Sequence, residues 1–251
     1  MHTTWQLPPA RLYLDTDEVQ VWVVSLDRTE AERTKFLRSL SHDEKMRADR
    51  FYFDHDRYHY IAARGLLRLL LGGYLHKDPS LVTFAYGEHG KPMLVQVKGD
   101  PQLEFNVSHS HGMALLAFGY DRAIGVDIEE IRPLSDAAQI AKRFFSAREY
   151  GWFTAVPAAQ QPQAFFNCWT RKEAYIKAIG DGLSCPLDAF DVTLTPGQPA
   201  RLLTIRGSSL EAEQWQLHTL EPKRGYVGAV IAAGKDWRLT LWKWPDSSYE
   251  Y

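Results

Sequence analysis

Apolar and polar positions alternate most regularly over residues 124–129. Ile124, Val126 and Ile128 interleave with Gly125, Asp127 and Glu129, a period of two that predicts a strand with one apolar face. Asp127 and Glu129 then point the same way, about 7 Å apart at a rise of about 3.3 Å per residue. Residues 20–26 (QVWVVSL), 105–107 and 113–118 also read as strands, and Tyr120-Asp121-Arg122 reads as a hairpin turn into the 124–129 strand. Ser41-His42-Asp43-Glu44 is a capping box that opens a helix. A second helix starts near Asp54, runs through Ile61, Leu66, Leu67 and Leu70, and stops at Gly72-Gly73. Residues 87–92 (GEHGKP) form a turn or loop.

The second half opens with a helix over residues 134–145 and a further capping box, Ser146-Ala147-Arg148-Glu149. The clearest long helix covers 162–179, its proline in the first turn and its stop at Gly180 or Gly182. Beyond Pro186, residues 190–194, 214–220, 226–232 and 239–244 are strand candidates. Runs of helices beside runs of strands specify an α+β fold. A division near residue 120 gives an N-terminal half of residues 1–120 and a C-terminal half of residues 121–251.

Composition narrows the function classes. The chain has 251 residues, 45% hydrophobic and 24% charged, as expected of a soluble globular protein of one large or two small domains. A net charge of -2 argues against a protein that coats nucleic acid. The apolar run at residues 66–71 is far too short to span a bilayer. The N-terminus lacks the pattern of a signal peptide. Cys168 and Cys185 form no zinc spacing. A reducing, cytoplasmic setting fits.

Several groups could carry chemistry. Two like charges on one strand face are costly unless neutralised. For Asp127 and Glu129 a divalent cation would do so, as would exposed pairing with Lys or Arg. On the 162–179 helix, Trp169, Glu173 and Lys177 form a row at i, i+4, i+8, beside an apolar stripe of Phe165, Trp169, Ile176 and Ile179. By spacing alone Glu173 and Lys177 are equally a surface ion pair. In the segment Phe105-Asn106-Val107-Ser108-His109-Ser110-His111-Gly112, Ser108, Ser110 and the histidines offer donors just after a strand, either as a phosphate loop with a charged His109 or as a polar turn. No G-x-S-x-G elbow, Walker A loop or G-x-G-x-x-G is present. His55 with His59, and His109 with His111, lack the further ligands of a zinc site. Arg47, Arg50, Arg57, Arg64, Arg68 and Lys91 either solvate helix faces or clamp phosphates.

Taken together these segments resemble the Sfp-type 4'-phosphopantetheinyl transferases. The matching pieces are residues 47–68 (RADRFYFDHDRYHYIAARGLLR), Gly90-Lys91-Pro92, 105–110 (FNVSHS), 125–129 (GVDIE), 143–150 (RFFSAREY) and 169–183 (WTRKEAYIKAIGDGL), in the family's order. GVDIE followed about 40 residues later by W-x-x-K-E-x-x-x-K, with FNVSHS upstream, is jointly very specific.

The resemblance implies two similar α+β halves, helices packed on small antiparallel sheets, related by a pseudo-twofold with the active site in the cleft. It implies transfer of the phosphopantetheine arm of coenzyme A to a serine of an apo-acyl or peptidyl carrier protein, releasing 3',5'-ADP, by a monomer that needs neither nucleic acid nor membrane. It places Mg²⁺, with Mn²⁺ equally suited to carboxylates, on Asp127, Glu129 and Glu173. It makes Glu173, Lys177 and Asp127 catalytic. It assigns Arg47, Arg64, Lys91, Pro92, Ser108, His109, Lys172 and Lys177 to coenzyme A. Glu149 matches an acidic position often tied to the metal, while its capping role explains it equally well. One departure stands out. Where some members carry two lysines before the RFY segment, this chain has Glu44 and Arg47.

Overall fold

The computed structural model describes residues 4–87, 90–96, 100–180 and 182–246. Its elements in chain order are β1 (Glu18–Ser25), α1 (Glu30–Ser39), α2 (His42–Ala48), α3 (Asp54–Leu75), β2 (Phe84–Tyr86), β3 (Pro92–Leu94), β4 (Leu103–Ser110), β5 (Met113–Tyr120), β6 (Ile124–Glu130), α4 (Ala137–Phe144), α5 (Ala147–Ala155), α6 (Gln161–Ile179), β7 (Phe190–Val192), β8 (Leu202–Ile205), α7 (Ser209–Ala212), β9 (Trp215–Leu220), β10 (Tyr226–Ala233) and β11 (Arg238–Lys243). The expected 87–92 loop falls partly on residues 88–89, and the end of the 169–183 motif includes residue 181. Both lie outside the described residues.

Two sheets dominate, ordered β11-β1-β5-β4 and β6-β10-β9. They face each other across a core of Val19, Val21, Leu115, Ala117, Ile124, Val126, Ile128 and Val230. Alternate residues of the same strands, among them Trp22, Val24, Leu116 and Phe118, turn outward onto α3 through Leu66, Leu67, Leu70 and Leu71. On the far side, Val227, Ala229 and Ile231 of β10 meet α6. The layers are therefore helix, sheet, sheet, helix. Strands covered on both faces are apolar without alternation, which is why VWVV and MALLAFG read as continuous runs. The mixture of helices and small sheets is the α+β class expected.

Several sequence expectations are corrected. The segment 120–122 is not a hairpin turn. β5 pairs with β1 and β4, whereas β6 pairs with β10, so Asp121, at φ 49°, passes the chain from one sheet to the other. Gly72-Gly73 does not stop α3. The helix ends at His76 in the left-handed region, φ 51°, and a Cβ on Gly72 would lie 2.8 Å from the Lys77 carbonyl oxygen, so this glycine serves close packing. The FNVSHS segment is strand to its end, and the turn is the two-residue His111-Gly112, at φ 43° and 76°, the positive pair that suits a tight hairpin. The sheets are also not wholly antiparallel, because β11 runs parallel to β1. The last strand of the chain thus belongs to the first sheet. Trp242 Nε1 donates to Gln20 Oε1 at 3.0 Å and fixes that register.

Two contacts hold α6 in place. At Gly125 of β6 an added Cβ would fall 2.0 Å from the Ala174 carbonyl oxygen and 2.5 Å from the Ala178 nitrogen, so strand and helix touch backbone to backbone. On the opposite side, Lys172 is wholly buried. Its Nζ meets Glu149 Oε2 at 2.7 Å and donates to the Leu187 and Phe190 carbonyls at 2.6 and 2.7 Å. Glu149 also accepts from the Ser146 and Val192 amides, at 2.8 and 2.7 Å. One buried pair therefore ties α5, α6 and β7 together, with the donors and acceptors around it satisfied.

Two outcomes are expected in urea titrations. Gly125→Ala should cost about 1–3 kcal/mol or more, since the new methyl meets backbone that cannot yield. Lys172→Met should cost about 3–5 kcal/mol by stranding a buried carboxylate, and Glu149→Gln added to it should recover part of that loss.

Candidate active site

The contact at Gly125 brings the polar face of β6 against α6 near its C-terminal end, while β4 lies alongside β6. Three side chains of β4, each two residues apart, reach across. Asn106 Oδ1 accepts from the Val126 amide at 2.9 Å, Ser108 Oγ donates to Asp127 Oδ1 at 2.7 Å, and Ser110 Oγ donates to Glu129 Oε2 at 2.9 Å. From α6, Lys177 Nζ reaches Asp127 Oδ1 at 2.6 Å and Ser108 Oγ at 2.9 Å. Asp127, Ser108 and Lys177 form one closed cluster.

Asp127 is buried, and its second oxygen, Oδ2, has no hydrogen-bond partner. A buried acceptor of this kind is costly. Glu129 and Glu173 feel the same crowding. Burial first, then the Asp127 charge, raises the proton affinity of both above the ordinary carboxylate range. Three carboxylates, one of them with an orphaned oxygen, are a donor set suited to a hard cation. Among the described residues, no three acidic, histidine or cysteine side chains already converge as a metal cage. Here the Lys177 ammonium supplies the positive charge.

A cavity of about 300 Å³ opens beside this cluster, with Lys91, Pro92, Glu173, Lys177 and Gly180 in its wall. Lys91 is half-buried. Its Nζ donates to the carbonyls of Lys177 and Ala178 at 2.6 and 3.2 Å, closing the C-terminal end of α6 where unpaired carbonyls favour a cation. Burial lowers its pKa. His109 sits on the other parity of β4 and is exposed. Although solvent reaches the ring, crowding by neighbouring atoms partly desolvates it, and this, followed by the charges of Lys177 and His59, holds its imidazole below the usual range.

The remaining expected residues lie elsewhere or are already engaged. Lys172 does not face a phosphate site. It is sealed in the ion pair with Glu149 on the far side of α6, so its assignment to coenzyme A is corrected. Glu149, equally buried, keeps the capping role and not an open metal-binding one. Arg64 is ion-paired with Glu44, which also holds Arg68 Nε at 2.6 Å, and its guanidinium lies 3.9 Å from the Phe84 ring centre. Arg47 is exposed and lines a second, larger cleft of about 730 Å³ with His42, Asp43, Met46, Arg50 and Phe51. The His55 and His59 ring centres lie 4.0 Å apart with the rings tilted by 57°, and His59 Nε2 is 2.8 Å from Asp27 Oδ1.

Sequence reasoning missed the roles of Asn106 and Ser110 and the direct bond from Ser108 to Asp127. A signal was available. Asn106, Ser108 and Ser110 share the stride of two that Gly125, Asp127 and Glu129 show, so two polar strand faces were written to meet. Lys172 and Lys177 were separable too, because five residues turn a helix by about 140° beyond a full turn.

Comparison with known proteins bears on both halves. A family model described as "4'-phosphopantetheinyl transferase, N-terminal" matches residues 26–119, and one described as "4'-phosphopantetheinyl transferase superfamily" matches residues 123–232. The chain is 43% identical over 239 residues to the 4'-phosphopantetheinyl transferase HetI of Nostoc sp., covering 95% of this chain and 98% of that one. It is 33% identical over 221 residues to the 4'-phosphopantetheinyl transferase Sfp of Bacillus subtilis, covering 87% and 94%. The holo-[acyl-carrier-protein] synthase of Thermotoga maritima superposes with a TM-score of 0.33 at 16% identity, over 45% of this chain and 63% of that one, too slight a likeness to carry weight. The two family models run from residue 26 to residue 232, and with relatives matched over nearly the whole length they show that this chain belongs to the 4'-phosphopantetheinyl transferase family.

Proposed function

We propose that this transferase moves the 4'-phosphopantetheine arm of coenzyme A to a serine hydroxyl of an apo-acyl or peptidyl carrier protein at the seam of β4, β6 and α6, releasing 3',5'-ADP. The observation that carries the assignment is the Asp127–Ser108–Lys177 cluster, with Glu129 and Glu173 beside it, at the wall of the Lys91–Pro92 cavity. In the reaction a bond forms between the serine oxygen and the β-phosphorus, and the bond from that phosphorus to the bridging oxygen breaks. Glu173 takes the serine proton, directly or through a water. Lys177 faces the oxygen that gains charge on the departing 3',5'-ADP. Lys91 and Pro92 line the wall where the nucleotide end would lie, and exposed His109 on β4 is the group proposed for its 3'-phosphate. Arg47 and Arg64 are the first-half groups proposed for the phosphates, Arg64 only by loosening its hold on Glu44.

Asp127, Glu129 and Glu173 would hold Mg²⁺, or Mn²⁺ in its place, which when bound neutralises pyrophosphate oxygens as a Lewis acid. The orphaned Asp127 Oδ2 supports this donor set. No helix among the described residues is long and apolar enough to cross a membrane.

Asp127→Ala should reduce transfer by at least about 100-fold while leaving the unfolding midpoint close to that of wild type. The assay mixes enzyme, Mg²⁺, coenzyme A and apo-acyl carrier protein and weighs the carrier by mass spectrometry. Wild type should add the phosphopantetheine mass. An unchanged carrier with hydrolysed coenzyme A would indicate a phosphohydrolase instead, and no change in either would indicate a binding module.

A pH dependence follows from the two crowded glutamates. A carboxyl whose folded pKa lies above its unfolded one binds more protons when folded, so its ionised form opposes folding. That penalty is absent below the unfolded pKa and complete above the folded pKa. Glu129→Gln/Glu173→Gln should therefore be more stable than wild type at neutral pH. The gap should close as pH falls toward the ordinary glutamate value of about 4.3. Added Mg²⁺ should raise the unfolding midpoint of wild type and leave that of the double variant unchanged.

A further inference from the structure

Lys177 is placed to do more than meet a phosphate. Asp127 Oδ1 takes two donors, the Lys177 ammonium at 2.6 Å and the Ser108 hydroxyl at 2.7 Å, and those two donors are themselves 2.9 Å apart. Both lone pairs of that oxygen are then spent. Oδ2 is buried without a partner. A divalent cation that takes Oδ1 must displace one of its two donors. One that takes Oδ2 alone places two cations across a single carboxylate, in a site where screening is weak. Either way the ammonium and the metal compete.

We infer that Lys177 is the internal counter-cation of this site, holding Asp127 until a divalent cation displaces it, an inference that rests on reading Asp127 as a metal ligand. The surroundings permit the exchange. Lys177 is about one-third exposed at its side chain, 29%, so its head can leave without disturbing the core. It lines the same cavity as Glu173, one helical turn earlier. Ser108 remains hydrogen-bonded to Asp127 and keeps that carboxylate aimed. Metal loading would then turn a lysine neutralised within the protein into one directed at an incoming phosphate, so that cation binding arms the site. Lys91 gives the contrast. It lines the same cavity, but its Nζ donates to the backbone carbonyls of Ile124, Lys177 and Ala178.

The test is metal binding without coenzyme A. Mn²⁺ titrations followed by the EPR signal of free Mn²⁺ should show Lys177→Met binding about tenfold tighter than wild type, because no fraction of the site is held by the ammonium. Lys91→Met should stay within about twofold of wild type, the scale of a general charge effect. Asp127→Asn should bind more weakly. In wild type, the Lys177 ammonium resonance, assigned through its loss in Lys177→Arg, should shift on adding Mg²⁺. That measurement serves even where Lys177→Met does not fold. Equal affinity for Lys177→Met and wild type, equal tightening in both lysine variants, or an unmoved resonance would each overturn the inference. If Asp127→Asn weakens Mn²⁺ binding while Lys177→Met leaves it unchanged, only the counter-cation role falls. If Asp127→Asn has no effect, the metal reading falls with it.

Discussion

The site depends on a strand and a helix lying in contact where there is no room for a methyl group. Gly125 meets the backbone of Ala174 and Ala178, and everything that matters on β6 is measured from that contact. Two residues along, Asp127 faces the next turn of α6, where Lys177 waits. Four residues along, Glu129 stands at the open end. A side chain at 125 would hold the helix off by more than an ångström, which is enough to break a 2.6 Å ion pair. The glycine is thus a spacing device, and positive φ plays no part in it.

The second constraint is the seam between sheets. β4 and β6 end their respective sheets, and sheet edges carry polar groups that need partners. Here side chains supply them. Asn106 answers a backbone amide, and Ser108 and Ser110 answer two carboxylates. The seam closes the core between the sheets and at the same time aims acidic groups toward the cavity. Its polarity is costly to the fold, as the raised proton affinities of Glu129 and Glu173 record. Such unfavourable negative charge is what a bound cation would relieve.

Much of this was legible in the residues, for reasons that can be named. The parity of 124–129 set which way Asp127 and Glu129 point, and the structure keeps it, with Ile124, Val126 and Ile128 in the core between sheets. Both capping boxes and the glycine stop of α6 formed as written, because they are local hydrogen-bond patterns. Non-local matters were not legible. Residues 108–111 looked like a loop following the 105–107 strand because serine is common in turns, and only the facing strand explains the serines there. The pairing of β11 with β1 joins residues some 220 apart in sequence, Glu18 with Arg238, and no local pattern announces it. The 120–122 turn looked like a hairpin for the same reason. Its chemistry shows that the chain bends but not which sheet receives it.

The two lysines of α6 show how one motif divides its labour. Lys172 and Lys177 lie five residues apart, so they project about 140° from each other around the helix. The first points into the protein, where Glu149 and two carbonyls absorb its charge. The second points to the seam, where Asp127 absorbs it only until something more strongly positive arrives. Burial decides which lysine is which. An ammonium with no exposure and every donor satisfied has no route to a substrate. One that is partly exposed and shares its carboxylate with a serine can be exchanged. Glu173 follows Lys172 directly, so the sealed pair also fixes the rotation of the helix that presents Glu173 and Lys177. The buried lysine is therefore the anchor that lets its neighbours act from a defined position, and that arrangement accounts for a lysine beside the glutamate in the motif without any contact to the substrate.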